Sequence, residues 1–222
     1  MKSKNKADKK SFLNVVKDFQ KIEGLFTLYW NEKTNQAYVS ILPKQLDNIY
    51  LAGLTRQSGD GYYLDGSSML NEYPFMFKQV GKRIQFLNVN VKFRADENSP
   101  FRRSVEKHTS HSILSSTNIA SDPHPETGAV LADIGKLFIY DIEEITRRTQ
   151  GVYSFDKKDS YFTKLKSFPL NTEIEIALHF KGKKGQYIYT LPSSSSVLVH
   201  YHVSLSAIPD TKYVPRLADD RV

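Results

Sequence analysis

There is no cysteine among the 222 residues. A disulfide framework, a thiolate zinc centre and a cysteine nucleophile are therefore excluded. Glycine and proline are sparse, eleven and nine, together about 9% against an average near 12%, so collagen-like and low-complexity readings fail. No apolar run approaches the ~18 residues that would cross a bilayer as a helix. A strong charge excess in the body of the chain is missing too. The net charge is +7, but Lys2, Lys4, Lys6, Lys9 and Lys10 less Asp8 supply +4 of it, leaving +3 for the other 212 residues. A basic tail on a near-balanced body reads as a solvating segment, and no nucleic-acid partner is expected. The tail has the charge of a signal peptide's first region, yet no 7–15-residue apolar stretch follows it, so no export signal is read.

What is present is an ordinary core-forming composition, 40% hydrophobic and 12% aromatic, enough for one domain over residues 11–222. Ser11 is placed to cap a helix whose apolar face is Phe12, Val15, Val16, Phe19 and Ile22, with Gly24 as its left-handed stop. Strands follow. Leu25–Trp30 and Tyr38–Leu42 read as a hairpin, and Tyr50–Thr55, Pro74–Val80 and Arg83–Val91 are rich in aromatic and β-branched residues. Residues 95–112 are polar with a short helix, Ile113–Ile119 and Val130–Ile134 are strands, and Leu137–Arg148 has helical spacing. Gln150–Lys166 reads as a surface loop or irregular hairpin. The clearest alternation lies at the end: Ile174, Ile176, Leu178 and Phe180 on one strand, Val197, Val199, Tyr201, Val203 and Leu205 on another. The expected fold class is α+β and β-rich, a twisted antiparallel sheet or sandwich with about two helices packed against it.

Catalytic motifs are missing. No His-Glu-x-x-His, Gly-x-Ser-x-Gly, phosphate-cradling loop or dinucleotide fingerprint occurs. The run Ser193–Ser196 follows Pro192 in a turn and reads as too flexible to hold a nucleophile. His108 and His111 have helical i, i+3 spacing but no glutamate placed as zincin chemistry demands. His200 and His202 point to one side of their strand, and His179, Glu173 and Glu175 occupy the corresponding side of a probable neighbour. His179, His200 and His202 are thus the candidate metal ligands, against the plainer reading of a solvated sheet face.

Several stretches resemble a known family. Gly24-Leu-Phe-Thr-Leu-Tyr29, Ala37-Tyr-Val-Ser-Ile41, Tyr50-Leu-Ala and Phe93-Arg-Ala-Asp come first, with Ser99-Pro and Arg103-Ser-Val. Val130-Leu-Ala-Asp-Ile-Gly-Lys-Leu-Phe138, Ser160-Tyr-Phe, Phe168-Pro-Leu-Asn171 and Glu173-Ile-Glu continue in order. His202-Val-Ser-Leu-Ser, Ile208-Pro and Tyr213-Val-Pro-Arg-Leu-Ala-Asp-Asp-Arg-Val222 complete the set. Together they resemble a domain of unknown function that forms the N-terminal part of large bacterial zinc-dependent metalloproteases of the metzincin-like type. In that family the chain runs on past this Arg-Val into the protease domain with its zinc motif, whereas this one stops at Val222. The resemblance therefore implies the accessory domain without the catalytic one. It implies no catalytic residue and no cofactor in this chain, zinc belonging only to the missing domain. It also implies an extracytoplasmic, periplasmic or secreted setting, although the sequence alone leaves localisation unassigned.

The expected function is a non-catalytic scaffold or substrate-access module whose partner is a metalloprotease catalytic domain, in the same gene or in trans. Arg216, Asp219, Asp220 and Arg221 are the candidate interdomain contacts, suited to charge-assisted hydrogen bonds. A stand-alone binding module for peptide, carbohydrate or cell-envelope material is the alternative. A small metal-binding hydrolase built on His179, His200 and His202 comes third. A broad exposed apolar surface would favour the first, and a concave pocket with a few polar groups the second.

Overall fold

The computed structural model describes residues 11–61, 64–66, 68–96, 98–183 and 189–211. Among these, eleven strands build two antiparallel sheets. The smaller has the order β1-β2-β3-β8: β1 Gln20–Ile22, β2 Thr27–Asn31, β3 Gln36–Ile41 and β8 Val130–Asp133. The larger has seven strands in the order β7-β6-β5-β4-β11-β10-β9. They are β4 Tyr50–Ser58, β5 Ser68–Val80, β6 Arg83–Asn88, β7 Ser112–Asn118, β9 Tyr153–Ser167, β10 Asn171–Gly182 and β11 Ser196–Ser206. The fold is thus β-rich α+β, with the sheets packed on each other and four short helices beside them: α1 Phe12–Val16, α2 Arg102–His108, α3 Ile134–Phe138 and α4 Ile145–Arg148.

Period-two patterning dictates the packing. Ile174, Ile176, Leu178 and Phe180 are at most 1% exposed, and Val197, Val199, Tyr201, Val203 and Leu205 at most 3%. They face the small sheet, which contributes Phe26, Leu28, Ala37, Val39 and Ile41 to the same core. Each large apolar side chain so buried contributes about 1.5–3 kcal/mol. The aromatic residues are largely core: Phe26 meets Phe77 edge-on at 5.3 Å, and Phe75 lies 5.0 Å from Phe86. α3 and α4 place Ile134, Leu137, Phe138 and Ile145 on this core, while Phe12 and Val16 of α1 cover the far side of the small sheet with Leu131 and Tyr29.

Four local expectations are corrected. Ser11 does cap α1, its Oγ accepting from Asn14 N at 3.4 Å, but the helix ends at Val16 rather than running to Ile22. Phe19 turns onto Tyr38, and Gln20–Ile22 pairs with Leu28–Trp30 instead. Gly24 is not a left-handed stop: it lies between β1 and β2, where a Cβ would sit 2.5 Å from the backbone nitrogen of Phe168. The helical spacing over 137–148 is broken into α3 and α4. Glu144 adopts φ 55°, and the Asp141 carboxylate accepts from Ile145 N at 2.7 Å and Thr146 N at 2.8 Å, restarting the helix. The largest departure is residues 150–166, most of which belong to the fifteen-residue strand β9.

Candidate functional site

Because the apolar residues of β10 and β11 point inward, Glu173, His179 and Lys181 share the outer face with Ser196, His200 and His202. The register sets their spacing. His179 lies opposite Leu198, His200 opposite Ala177 and His202 opposite Glu175. Four rungs therefore separate His179 from His202, about 13 Å at 3.3–3.4 Å per residue. A shared zinc would need every ring nitrogen at ~2.0–2.1 Å, so the face does not gather His179, His200 and His202 into one ligand set. Each end has its own partners. His202 Nε2 is 2.5 Å from Glu173 Oε2, and Ser204 Oγ donates to Glu173 Oε1 at 2.9 Å. His179 Nδ1 lies 3.1 Å from Asp156 Oδ2, and its Nε2 lies 2.8 Å from Ser196 Oγ.

A bulge in β9 brings Asp156 to His179. His179 faces Asp156 and Ala177 faces Tyr161, so residues 157–160 loop out opposite Leu178. Ser160 stitches the loop, its Oγ accepting from His179 N at 2.9 Å and donating to Asp156 O at 2.8 Å. Asp159, His179 and Asp156 hold their ligand-type atoms within 4.8 Å of one another. The position a cation would take is held by Lys181, whose Nζ is 2.5 Å from Asp156 Oδ2 and 3.8 Å from Asp159 Oδ2. The hydrogen bond from Lys181, helped by that from His179, holds the Asp156 carboxyl well below its ordinary range.

On the inner face, midway along β11, lies a buried polar group that no motif announces. Arg56 and Glu143 have side chains 8% and 6% exposed, 3.5 Å apart. Arg148 Nη1 reaches the same carboxylate at 2.9 Å, and Tyr201 Oη donates to it at 2.8 Å. Burial, then the negative charge of Glu143, pushes the Tyr201 phenol far up, and burial raises Tyr140 to about 12. These groups tie the α3–α4 connection to the large sheet.

Where the sheets meet, the β2–β3 hairpin tip, the start of α3 and the β9 bulge enclose a cleft of about 480 Å³. Asn35, at φ 52°, fixes its floor: Nδ2 donates to Phe162 O at 2.9 Å and Oδ1 accepts from Phe162 N at 2.8 Å. Lys136, Lys157 and Lys158 line it against Asp133, with Tyr161 beside them. At the opposite end of the large sheet, where β4 begins, β9 hands over to β10 and β11 finishes, Ile49, Leu51, Phe168, Leu170 and Ile208 are all exposed, by 40–71%. Leu51 and Asn171 flank Ser206 across three strands, and Ala207 N donates to Leu170 O at 2.8 Å.

Of the other sequence candidates, His108 ends α2 and His111 lies beyond it, where Nδ1 accepts from Asn90 N at 3.1 Å, so the two do not share a helical face. Arg216, Asp219, Asp220 and Arg221 lie outside the described residues. No helix among the described residues is long and apolar enough to cross a membrane.

Residues 67–222 match the model of a family described as a domain of unknown function (DUF5117). Neither a curated protein nor a solved structure matches the chain.

Proposed function

We propose that this chain, which belongs to the DUF5117 family of domains of unknown function, is an accessory domain of a zinc-dependent metalloprotease. In this reading it takes no part in peptide hydrolysis and serves the protease domain as scaffold or substrate-access module. The supporting observation is the set of five exposed apolar residues, Ile49, Leu51, Phe168, Leu170 and Ile208, at the end of the sheet where β11 finishes. Water-exposed side chains of this size gathered at one end suit a protein partner. The resemblance of residues 11–222 to the N-terminal region of such proteases supplies the partner's chemistry, and with it an extracytoplasmic setting. Arg216, Asp219, Asp220 and Arg221 are the interdomain contacts of this reading, through charge-assisted hydrogen bonds.

The test is reconstitution of residues 1–222 with a His-Glu-x-x-His protease domain encoded with them, in cis or as a separate chain. A complex on gel filtration, lost in Leu51→Asp/Leu170→Asp and weakened in Arg221→Ala, is the expected result. A protease domain equally stable and active without residues 1–222, and forming no complex with them, overturns the reading.

The cleft between the sheets favours a second reading, a binding module for an acidic saccharide. Three lysines there outnumber one aspartate, and a strand-borne tyrosine offers a flat face. Titration with a uronate oligosaccharide should give saturable heat that Lys157→Glu/Lys158→Glu removes; a neutral oligosaccharide binding equally well would refute it.

A further inference from the structure

We propose that Ser196 is a base-activated nucleophile that accepts acyl groups from esters, with His179 as its general base and Asp156 positioning the imidazole. This goes beyond the accessory role and does not depend on it. The argument is geometric. Ser196 Oγ is 2.8 Å from His179 Nε2, and the other ring nitrogen, Nδ1, is 3.1 Å from Asp156 Oδ2. A hydroxyl, an imidazole and a carboxylate hydrogen-bonded in that sequence, through opposite nitrogens of one ring, are the constellation that makes a serine nucleophilic. The carboxylate selects the tautomer with hydrogen on Nδ1, which leaves Nε2 free to take the serine proton.

The surroundings match the roles. His179 and Asp156 have side chains only 12% and 14% exposed, whereas Ser196 faces solvent. Asp156 is fixed by Lys181 at 2.5 Å, and the bulge behind it is stitched by Ser160. Ser196 is no part of a loose run. It opens β11 opposite Lys181, and the turn before it is tethered: Gly182 N donates to Ser195 O at 2.9 Å and Tyr153 Oη to Ser194 O at 2.8 Å. A Cβ at Gly182 would lie 2.4 Å from Ser194 O, so the glycine is what lets the serine turn sit down on β10.

In the reaction, Ser196 Oγ bonds to the ester carbonyl carbon as its proton passes to His179 Nε2. The bond from that carbon to the alkoxy oxygen breaks, and the same proton leaves on the departing alcohol. Water, deprotonated by His179, then attacks the acyl-serine, releasing the carboxylic acid and restoring the hydroxyl. Lys181, 2.5 Å from Asp156 Oδ2, keeps that carboxylate ionised beside the imidazolium as it forms.

The experiment is labelling of residues 1–222 with a fluorophosphonate, located by peptide mass spectrometry, together with 4-nitrophenyl acetate hydrolysis. One label per chain on Ser196 is expected. Ser196→Ala, at an exposed position that leaves the fold intact, should abolish it, and His179→Gln should slow it at least about 100-fold. Ser193→Ala should label as wild type. Asp156→Asn should lower the maximal labelling rate while leaving the half-saturating probe concentration unchanged, which a merely structural loss would not do. Labelling scattered over Ser193–Ser196, no labelling at all, or wild-type rates in His179→Gln would each overturn the proposal.

Discussion

Gly24 shows how a single residue can hold two sheets in register. Ser167 Oγ donates to Phe26 O at 2.8 Å, and Phe26 N donates to Thr172 Oγ1 at 3.2 Å. These bonds require the chain before β2 to pass against the β9–β10 turn, leaving no room for a Cβ. Gly24→Ala should therefore cost about 1–3 kcal/mol, read as a lower urea midpoint with unchanged slope. The Arg56–Glu143 pair acts differently, since both charges are buried and the guanidinium Nε finds no partner among the described residues. Glu143→Leu leaves the buried arginine only its 3.6 Å contact with the exposed Asp65 and should lose about 3–5 kcal/mol, whereas the double replacement Arg56→Met/Glu143→Leu should lose much less. Asp156 predicts a pH effect. A carboxyl held below its ordinary 3.8 by the ammonium of Lys181 stabilises the fold above that value, and the contribution fades as pH falls toward its folded-state value. Melting temperature measured from pH 6 downward should drop more steeply below about pH 4 in the wild type than in Asp156→Asn.

Among the elements, β10 and β11 could be read from the sequence because their inward positions from Ile174 to Phe180 and from Val197 to Leu205 are all apolar, while most of the intervening positions stay partly open to water. β9 could not. It is an edge strand, its Lys157, Lys158, Lys164 and Lys166 are the polar residues of a loop, and the bulge shifts the inward positions from Phe155 to Phe162 out of alternation. The start of the chain misled in the opposite direction, since Phe19 and Ile22 keep a helical spacing that pairing with β2 overrides. The candidate site was half legible. Alternation puts His179 on the outer face, but Asp156 comes from the strand read as a loop. The Ser196 contact depends on a register that sequence does not carry, as does the clamp by which Asn35 grips Phe162 127 residues away. The lysines of β9 also discourage pairing of this edge with a second copy. Replacing Lys158, Lys164 and Lys166 by threonine should produce self-association on sedimentation at concentrations where the wild type is monomeric.

At the scale of the whole molecule, the two proposals occupy opposite ends of one sheet. β11 runs from Ser196 to Ser206, about 33 Å, so Leu51→Asp/Leu170→Asp should abolish partner binding without changing fluorophosphonate labelling, and Ser196→Ala should do the reverse. Coupling between the two readouts would mean that the ends are not independent. The large sheet is itself two meanders, β4-β5-β6-β7 and β9-β10-β11, each made of chain neighbours in order. They become one sheet only where β4 meets β11, with Leu51 against Ser206 and Ser58 against His200. That seam joins segments some 140–155 positions apart, so its loop-closure entropy comes due before its hydrogen bonds form. The first meander must wait on the ribosome, with the inner edge of β4 unpaired, until β11 has been made. Refolding is therefore expected on the slow side, in milliseconds to seconds, with the β4–β11 closure setting its rate. During that interval the open edge of β4 is what a chaperone would have to guard.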